Sequence, residues 1–493
     1  MTCIHVVQLV IETQSPMAIT TGFREVGFDT ALVRDVNGLP MIPATAIAGV
    51  WSHLVTQQMG KAYSDAWFGS LNGGNKEKRG TGIRSRLSIS SARVHDQSNR
   101  RLANYVDPAA IQQDPILKVL ADERPHHRER VSINDRGVAK DSGKFDQIML
   151  PKGVRFSLSI YWDDDVVDTN KTEAQQLLSL WSDRGMAFGS STRNGLGQIK
   201  VVASKWRSFD LKKGSEQAVK AHDAWINPDI SSDHQDLSEL KPIASCELLA
   251  DIPLQALDNW RCGTGVETVN ANNRDKNISI ITYQEPSIAW KDDKARWQKA
   301  RPVLCGSSIK GILAHRVSFH WRCLAGEWAE NLDHLGDSES GNDWKSINSQ
   351  FEQRPDAVNR LFGFADDQDH DASQAGLLMV DDAEVVYEHT QVRTHNSIDR
   401  FTGGVRLGAL FTEELLYQPR FNVRIWLSNP SRKAIDPQLI EALNLTLMDL
   451  QQGLLPMGAG SGRGASLVMA DTSNPVAFNV NLLSNTTQER SHK

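Results

Sequence analysis

Apolar and polar positions along this chain follow a pattern that occurs twice. Residues 3–11 and 246–254 are both rich in Val, Ile and Leu, and each predicts a first strand. Val154, Phe156, Leu158 and Ile160 alternate with polar neighbours, which predicts a strand over 154–162 with one buried face; residues 420–427 read the same way. Further strands are expected over 83–94 and 376–386, with closing strands over 198–202 and 466–469. Helices are expected after Pro43 and after Leu304, and again over 172–181 and 436–452. Strand, helix, strands, helix, strand, twice over, predicts an α+β protein with two tandem sandwiches of split-βαβ type. Residues 204–245 are mostly polar and read as a linker with one short helix. The expected units are a first domain over 1–205, a linker over 206–245 and a second domain over 246–493.

Local landmarks support the duplication. The helix start Ile42-Pro43-Ala44-Thr45-Ala46-Ile47-Ala48-Gly49 answers to Leu304-Cys305-Gly306-Ser307-Ser308-Ile309-Lys310-Gly311, and His53 and His315 each follow four residues after the glycine. Trp67-Phe68-Gly69 answers to Leu361-Phe362-Gly363, and Asn134-Asp135-Arg136 to Ile398-Asp399-Arg400. Each half closes with a glycine-rich turn around an arginine, Gly189–Gly197 with Arg193 and Gly458–Gly464 with Arg463. Gly49 and Gly311 lie 262 apart, Asp135 and Asp399 264, Arg193 and Arg463 270. Gly69 and Gly363 lie 294 apart, so each half carries its own insertion.

Composition narrows the class. The chain has 493 residues, which allows two to four domains, and no run of about 18 apolar residues that would span a bilayer. No signal peptide is visible at the start. The five cysteines form no C-x-x-C pair, which fits a reducing cytoplasm and argues against structural zinc. Net charge is −6, yet residues 72–101 hold eight Lys or Arg against two acids, and residues 365–384 hold seven acids and no Lys or Arg. Either these are solvated faces of opposite sign, or the first is a local surface for a polyanion.

Gly306-Ser307-Ser308 at a helix start offers backbone N–H groups to an anion, and Lys310 adds a point charge. Serine capping of the helix is the plain alternative. The glycine-rich turns permit close approach of a ligand backbone. The acidic run Asp366–Asp371 has ligand-type residues but reads as a solvated loop, and no Gly-x-Ser-x-Gly elbow is present.

These motifs resemble the RAMP superfamily of CRISPR–Cas proteins, and among them the filament-forming backbone subunit of type III effector complexes. Gly27-Phe28-Asp29-Thr30-Ala31-Leu32-Val33-Arg34-Asp35, Gly38-Leu39-Pro40-Met41-Ile42-Pro43 and Asn396-Ser397-Ile398-Asp399-Arg400-Phe401-Thr402-Gly403 carry the likeness, with the closing turn at Gly458–Gly464. It spans nearly the whole chain, twice, as if two subunits were fused in a type III-D-like arrangement. The resemblance implies two ferredoxin-like, RRM-like palms with thumb hairpins. It implies guide CRISPR RNA, complementary target RNA and other effector subunits as partners, with no membrane. It implies Arg34, Thr45, Arg136, Arg193, Ser307, Ser308, Lys310, Arg400, Gly460 and Arg463 as RNA-binding residues. It further implies that Asp29 cuts target RNA with divalent magnesium or manganese, which Asp29 itself is a candidate to hold.

Alignment on Pro286 places Gln284 at the aspartate position of the second half, with Glu285 or Asp275 as substitutes. A Gln is no base, so the second half is expected to grip RNA rather than cut it. Two rivals keep the fold: a scaffold that does not cleave, and a guide-processing endonuclease.

Overall fold

The strand Cys3–Thr13 forms where Val6, Val7, Leu9, Val10 and Ile11 follow closely on one another, and all five are buried. So apolar a strand belongs inside a sheet, and it pairs antiparallel with Arg155–Asp164 on one side and Ile199–Asp210 on the other. Ala92–Val94 and Met41–Ile42 extend the sheet beyond Arg155–Asp164. The main strands therefore lie in the spatial order second, third, first, fourth. The second half repeats this order with Leu378–Val380, Arg420–Ser428, Cys246–Ala256 and Val468–Ala470. In the computed structural model the described residues are 3–22, 29–70, 82–102, 105–134, 137–164, 171–211, 216, 219, 220, 222, 223, 244–274, 276–328, 354–365, 373–428 and 435–478.

Each half has a helical layer over its sheet. The helix Ala44–Met59 buries Ile47, Trp51, Leu54 and Val55, and the Trp51 indole N–H donates to the Leu177 carbonyl of the helix Lys171–Ser179 (3.1 Å). The helix Gly306–Ala325 lies beside Pro437–Gln451, where Arg316 and His320 both meet Asp449 at 2.6 Å. Each fully buried Leu or Ile of these layers contributes about 1.5–3 kcal/mol.

Two expected strands are interrupted. Residues 83–94 yield only Ser88–Ile89 and Ala92–Val94, and residues 376–386 only Leu378–Val380 and Ala383–Glu384. At each break a side chain turns to the start of the first helix of its half. The Ser91 hydroxyl accepts from the Ala44 N–H (3.1 Å), and Asp382 Oδ1 from the Gly306 N–H (2.7 Å). The expected boundary at residue 205 also moves, because Ile199–Asp210 stays paired with Cys3–Thr13 to its end.

Three hairpins complete the fold. His126–Ile133 with Ala139–Met149 projects from the first half, and His389–His395 with Phe411–Tyr417 from the second. The third, Gln284–Lys291 with Lys294–Leu304, reaches back from the second half into the first. Its Ile288 and Ala295 belong to the first half's core, with Trp290 and Trp297 packed against it. The Trp290 and Trp297 indoles donate to the carbonyls of Gly153 (2.7 Å) and Pro115 (3.0 Å), and the Arg155 guanidinium covers Trp290 at 4.2 Å. This hairpin clasps the two halves together.

Candidate nucleic-acid interface

Hydrogen-bond register fixes which residues of the halves correspond. The Ser190 N–H donates to Ala18 O and the Ala459 N–H to Arg261 O; Val33 N–H donates to Ile19 O and Tyr283 N–H to Cys262 O. Arg34 bridges Pro40 as Gln284 pairs with Pro302. Gln284 thus stands in the place of Arg34 and Glu285 in that of Asp35. Counting back along the segment that precedes them, Ser279 and not Gln284 answers to Asp29, which corrects the alignment made on Pro286. Gln284 opens a strand, and its amide donates to Glu267 O (2.8 Å). Asp275 lies outside the described residues.

Asp29 is exposed at the base of the first projecting hairpin, where its Oδ2 accepts from the Asp146 N–H (3.1 Å). Next to it the Thr30 hydroxyl accepts from the Ile148 N–H (3.0 Å), so two consecutive side chains hold this loop to the hairpin. The Asp146 Oδ1 is buried without a partner among the described residues. In the second half the corresponding contact is made by backbone, Ser279 N–H to Thr412 O (2.8 Å), with no carboxylate at either position. Among the described residues no three His, Cys, Asp or Glu side chains gather as a metal cluster.

Both glycine-rich turns form one turn of 3₁₀ helix, Thr192–Asn194 and Ser461–Arg463, flanked by left-handed residues. The Asn194 N–H bonds to Ser191 O as the Arg463 N–H bonds to Gly460 O, so Arg463 answers to Asn194 and the two arginines are one position out of step. They point differently. Arg193 donates to the Gly376 carbonyl of the second half, whereas Arg463 lies 3.7 Å from Glu413 and 5.5 Å over Phe411, on its own hairpin. The turns also differ in what approaches them. A Cβ on Gly195 would stand 2.7 Å from the Asp382 N, while Gly462 and Gly464 have open space. In the first half the close approach that glycine permits is made by the second half itself.

The acidic run near residue 382 proves to be a docking surface. Arg128 of the first hairpin is 1% exposed and meets Glu285 and Asp382, both at 2.5 Å. Burial pushes both carboxyls up; Arg128, His126 and Tyr283 override this at Glu285 and hold it at about 2, while Asp382 stays above its ordinary value. Glu285 is therefore spent as an ion-pair partner and not poised as a base. Asp381 and Glu384 pair with Arg184 and Lys152 of the first half. His126 hydrogen-bonds the Tyr283 hydroxyl (3.0 Å).

Beside this compensated network lies an uncompensated one. Burial, then repulsion from Arg193 and Arg354, lowers Lys310 to about 8, and no carboxylate faces it among the described residues. Arg130 has its Nε and Nη2 buried without partners, and its Nη1 lies 3.3 Å from the Ser191 hydroxyl. Lys310, Arg193 and Arg354 thus form a cationic seam where the first glycine-rich turn meets the second half's helix. Such a seam suits phosphate, because a bound anion removes the mutual repulsion. Neither Ser307 nor Ser308 caps that helix, and its first N–H is taken by Asp382.

The remaining expected RNA contacts are dispersed. Thr45 is exposed in the first turn of Ala44–Met59, and Arg400 is exposed near the tip of the second hairpin. Asp399 caps that tip by accepting from the Phe401 and Thr402 N–H groups (2.9 Å each). Gly460 supplies a left-handed turn residue. Arg34 donates to the carbonyls of Gly38, Leu120 and Asp122, which ties its loop to the helix Pro115–Leu120. Arg136 lies outside the described residues, as do 71–81 of the basic stretch and 366–372 of the acidic run. The sequence named Lys310 and Arg193 but not Arg130 and Arg354, since burial of a cation away from carboxylates is a property of the fold.

A family model described as RAMP superfamily matches residues 10–200 and again 254–468. The chain belongs to the RAMP superfamily. The two matches divide as the two halves do, so this is a tandem α+β RAMP protein. None of the curated proteins matches it. Among solved structures, the cryo-EM structure of the Type III-B Cmr-beta bound to cognate target RNA contains a chain 15% identical to it. That match covers 42% of this chain and 61% of the other, with a TM-score of 0.27. This RAMP chain therefore matches about three-fifths of that relative's length. No helix among the described residues is long and apolar enough to cross a membrane.

Proposed function

We propose that this RAMP protein is a backbone subunit of a type III CRISPR effector complex, holding guide RNA along both domains and cutting complementary target RNA through Asp29. The observation that carries the reading is the position of Asp29: an exposed carboxylate fixed by the Asp146 N–H at the base of a projecting hairpin, in a chain whose second copy has Ser279 there. The cationic seam of Lys310, Arg193 and Arg354 grips guide phosphates, which position the RNA without reading its sequence.

Cleavage by the RNA's own 2′-hydroxyl needs that oxygen deprotonated and in line with the scissile phosphate. The Asp29 carboxylate takes the 2′ proton as the 2′-oxygen bonds to phosphorus and the phosphorus–5′-oxygen bond breaks, with water protonating the departing 5′-oxygen; general-base help of this kind contributes ~10²–10⁴-fold in rate. Alignment of the attacking oxygen supplies a further share. A divalent ion would supply charge neutralisation at the phosphate; the donor set fits one, because Asp29 is exposed and the neighbouring Asp146 Oδ1 lacks a partner among the described residues.

The test is Asp29→Asn in the assembled complex, with labelled complementary RNA and magnesium or manganese. One cut should disappear while guide content and target binding stay within about twofold, since a single exposed carboxylate contributes little to folding. An unchanged ladder in that variant would favour a scaffold that leaves cleavage to another subunit.

A further inference from the structure

The junction inside this chain is a template for one outside it. Arg128 lies opposite Gln147 in the first projecting hairpin, and Arg393 lies opposite Glu413 in the second. Register makes these the same position: Met17 bridges Leu150 as Trp260 pairs with Leu416, three residues beyond Gln147 and Glu413 respectively. The same residue type stands in two opposite environments. Arg128 is 1% exposed between Glu285 and Asp382, whereas Arg393 is 42% exposed and its nearest carboxylate, Asp258, is 3.9 Å away. The neighbouring turns agree. Gly195 abuts Asp382, while Gly464, which answers to it, faces open space.

We infer that Arg393 anchors the second hairpin to a different chain of the same repeat type, one that presents a carboxylate pair where Glu285 and Asp382 stand here. This rests on the reading that the protein works within a multi-subunit complex. A second copy of this chain does not fit. The first half has Asp35 and Ser91 at the positions of Glu285 and Asp382. Asp35 is engaged by its own turn, accepting from the Asn37 N–H (2.8 Å) and the Leu39 N–H (3.1 Å), and Ser91 is neutral. The clasp formed by residues 284–304 shrinks in the first half to the turn between Arg34 and Pro40. Arg393 inserted there would be buried against one carboxylate instead of two, without a clasp to exclude water, and an under-compensated buried guanidinium opposes association. The chain is thus a directional link: its second hairpin reaches outward to an acidic neighbour, and its first half does not receive a copy in return.

The test places a photo-crosslinking phenylalanine analogue at position 391, exposed and on the same strand face as Arg393, in the full chain in the complex isolated from cells. Mass spectrometry of the conjugate should show a different chain, joined within about ten residues of an Asp or Glu, a reach set by the strand rise. Arg393→Glu should reduce recovery of that chain at least about tenfold, as expected for an interface hot spot, and Arg393→Lys should recover part of it. A conjugate with another copy of this chain, no conjugate in a complex that carries other chains, or unchanged recovery in Arg393→Glu would each overturn the docking. Isolation of the chain with no partner at all would instead overturn the reading of it as a complex subunit.

Discussion

At the base of the first projecting hairpin stand two carboxylates, Asp29 and Asp146; at the base of the second stand Ser279 and Thr412. The backbone around them is bonded in the same register, so duplication kept the scaffold and divergence acted on the side chains. The junction contacts diverged in the reverse sense. The receiving face of the second half gained Glu285, Asp382 and a clasp bearing Trp290 and Trp297, where the first half has Asp35, Ser91 and a short turn. One half is the acidic side of an internal joint and the other carries the paired carboxylates Asp29 and Asp146. On the proposed reading, a tandem protein of this kind divides labour between copies without altering the fold of either.

The largest expected difference between the halves is in stability. Arg128→Ala strips two buried carboxylates of their shared guanidinium and should cost about 3–5 kcal/mol in denaturant unfolding. Arg393→Ala at the corresponding exposed position should cost about 0–1 kcal/mol in the isolated chain. Equal losses would show that the two hairpins are anchored alike.

The glycine-rich turns sharpen the same contrast. Gly464→Ala meets only the left-handed backbone, at φ 75°, and should cost about 1–2 kcal/mol. Gly195→Ala adds a clash with the Asp382 backbone nitrogen and should cost about 1–3 kcal/mol more, read as a lower Tm. A Gly195→Ala protein no less stable than Gly464→Ala would deny the tight seam.

Lys310 gives a smaller effect with a definite sign. Its folded pKa of about 8 lies below its ordinary value, so without RNA the fold becomes more stable as pH rises above about 8, where the unfolded chain holds more protons. Phosphate binding requires the ammonium, so guide retention should run the other way and fall between pH 7 and 9. Lys310→Arg should flatten that fall, and a wild-type protein with pH-independent retention would remove Lys310 from the interface.

Much of this architecture was legible in the sequence, and its limits are physical. Alternation at Val154, Phe156, Leu158 and Ile160 identified a half-buried strand, and the closing turns declared themselves by glycine spacing. Strand pairing was hidden, because it depends on which carbonyl each N–H finds. An inserted hairpin over 284–304 carries the match of Pro40 to Pro302, and the alignment on Pro286 misplaced the counterpart of Asp29 by five residues. Nothing in the sequence marked Arg128 as buried, because its acidic partners lie more than 150 residues away. Asp29 was named from its motif, and its place at the base of the hairpin came only from the fold.

The division of labour is tested most directly by mapping cuts in a labelled complementary RNA with assembled complexes carrying Asp29→Asn or Ser279→Ala, under single-turnover conditions with magnesium. The account predicts that Asp29→Asn loses one defined band, with a rate fall of ~10²-fold or more, and that Ser279→Ala reproduces the wild-type ladder. A ladder unchanged by Asp29→Asn, or a band lost in Ser279→Ala, would contradict it.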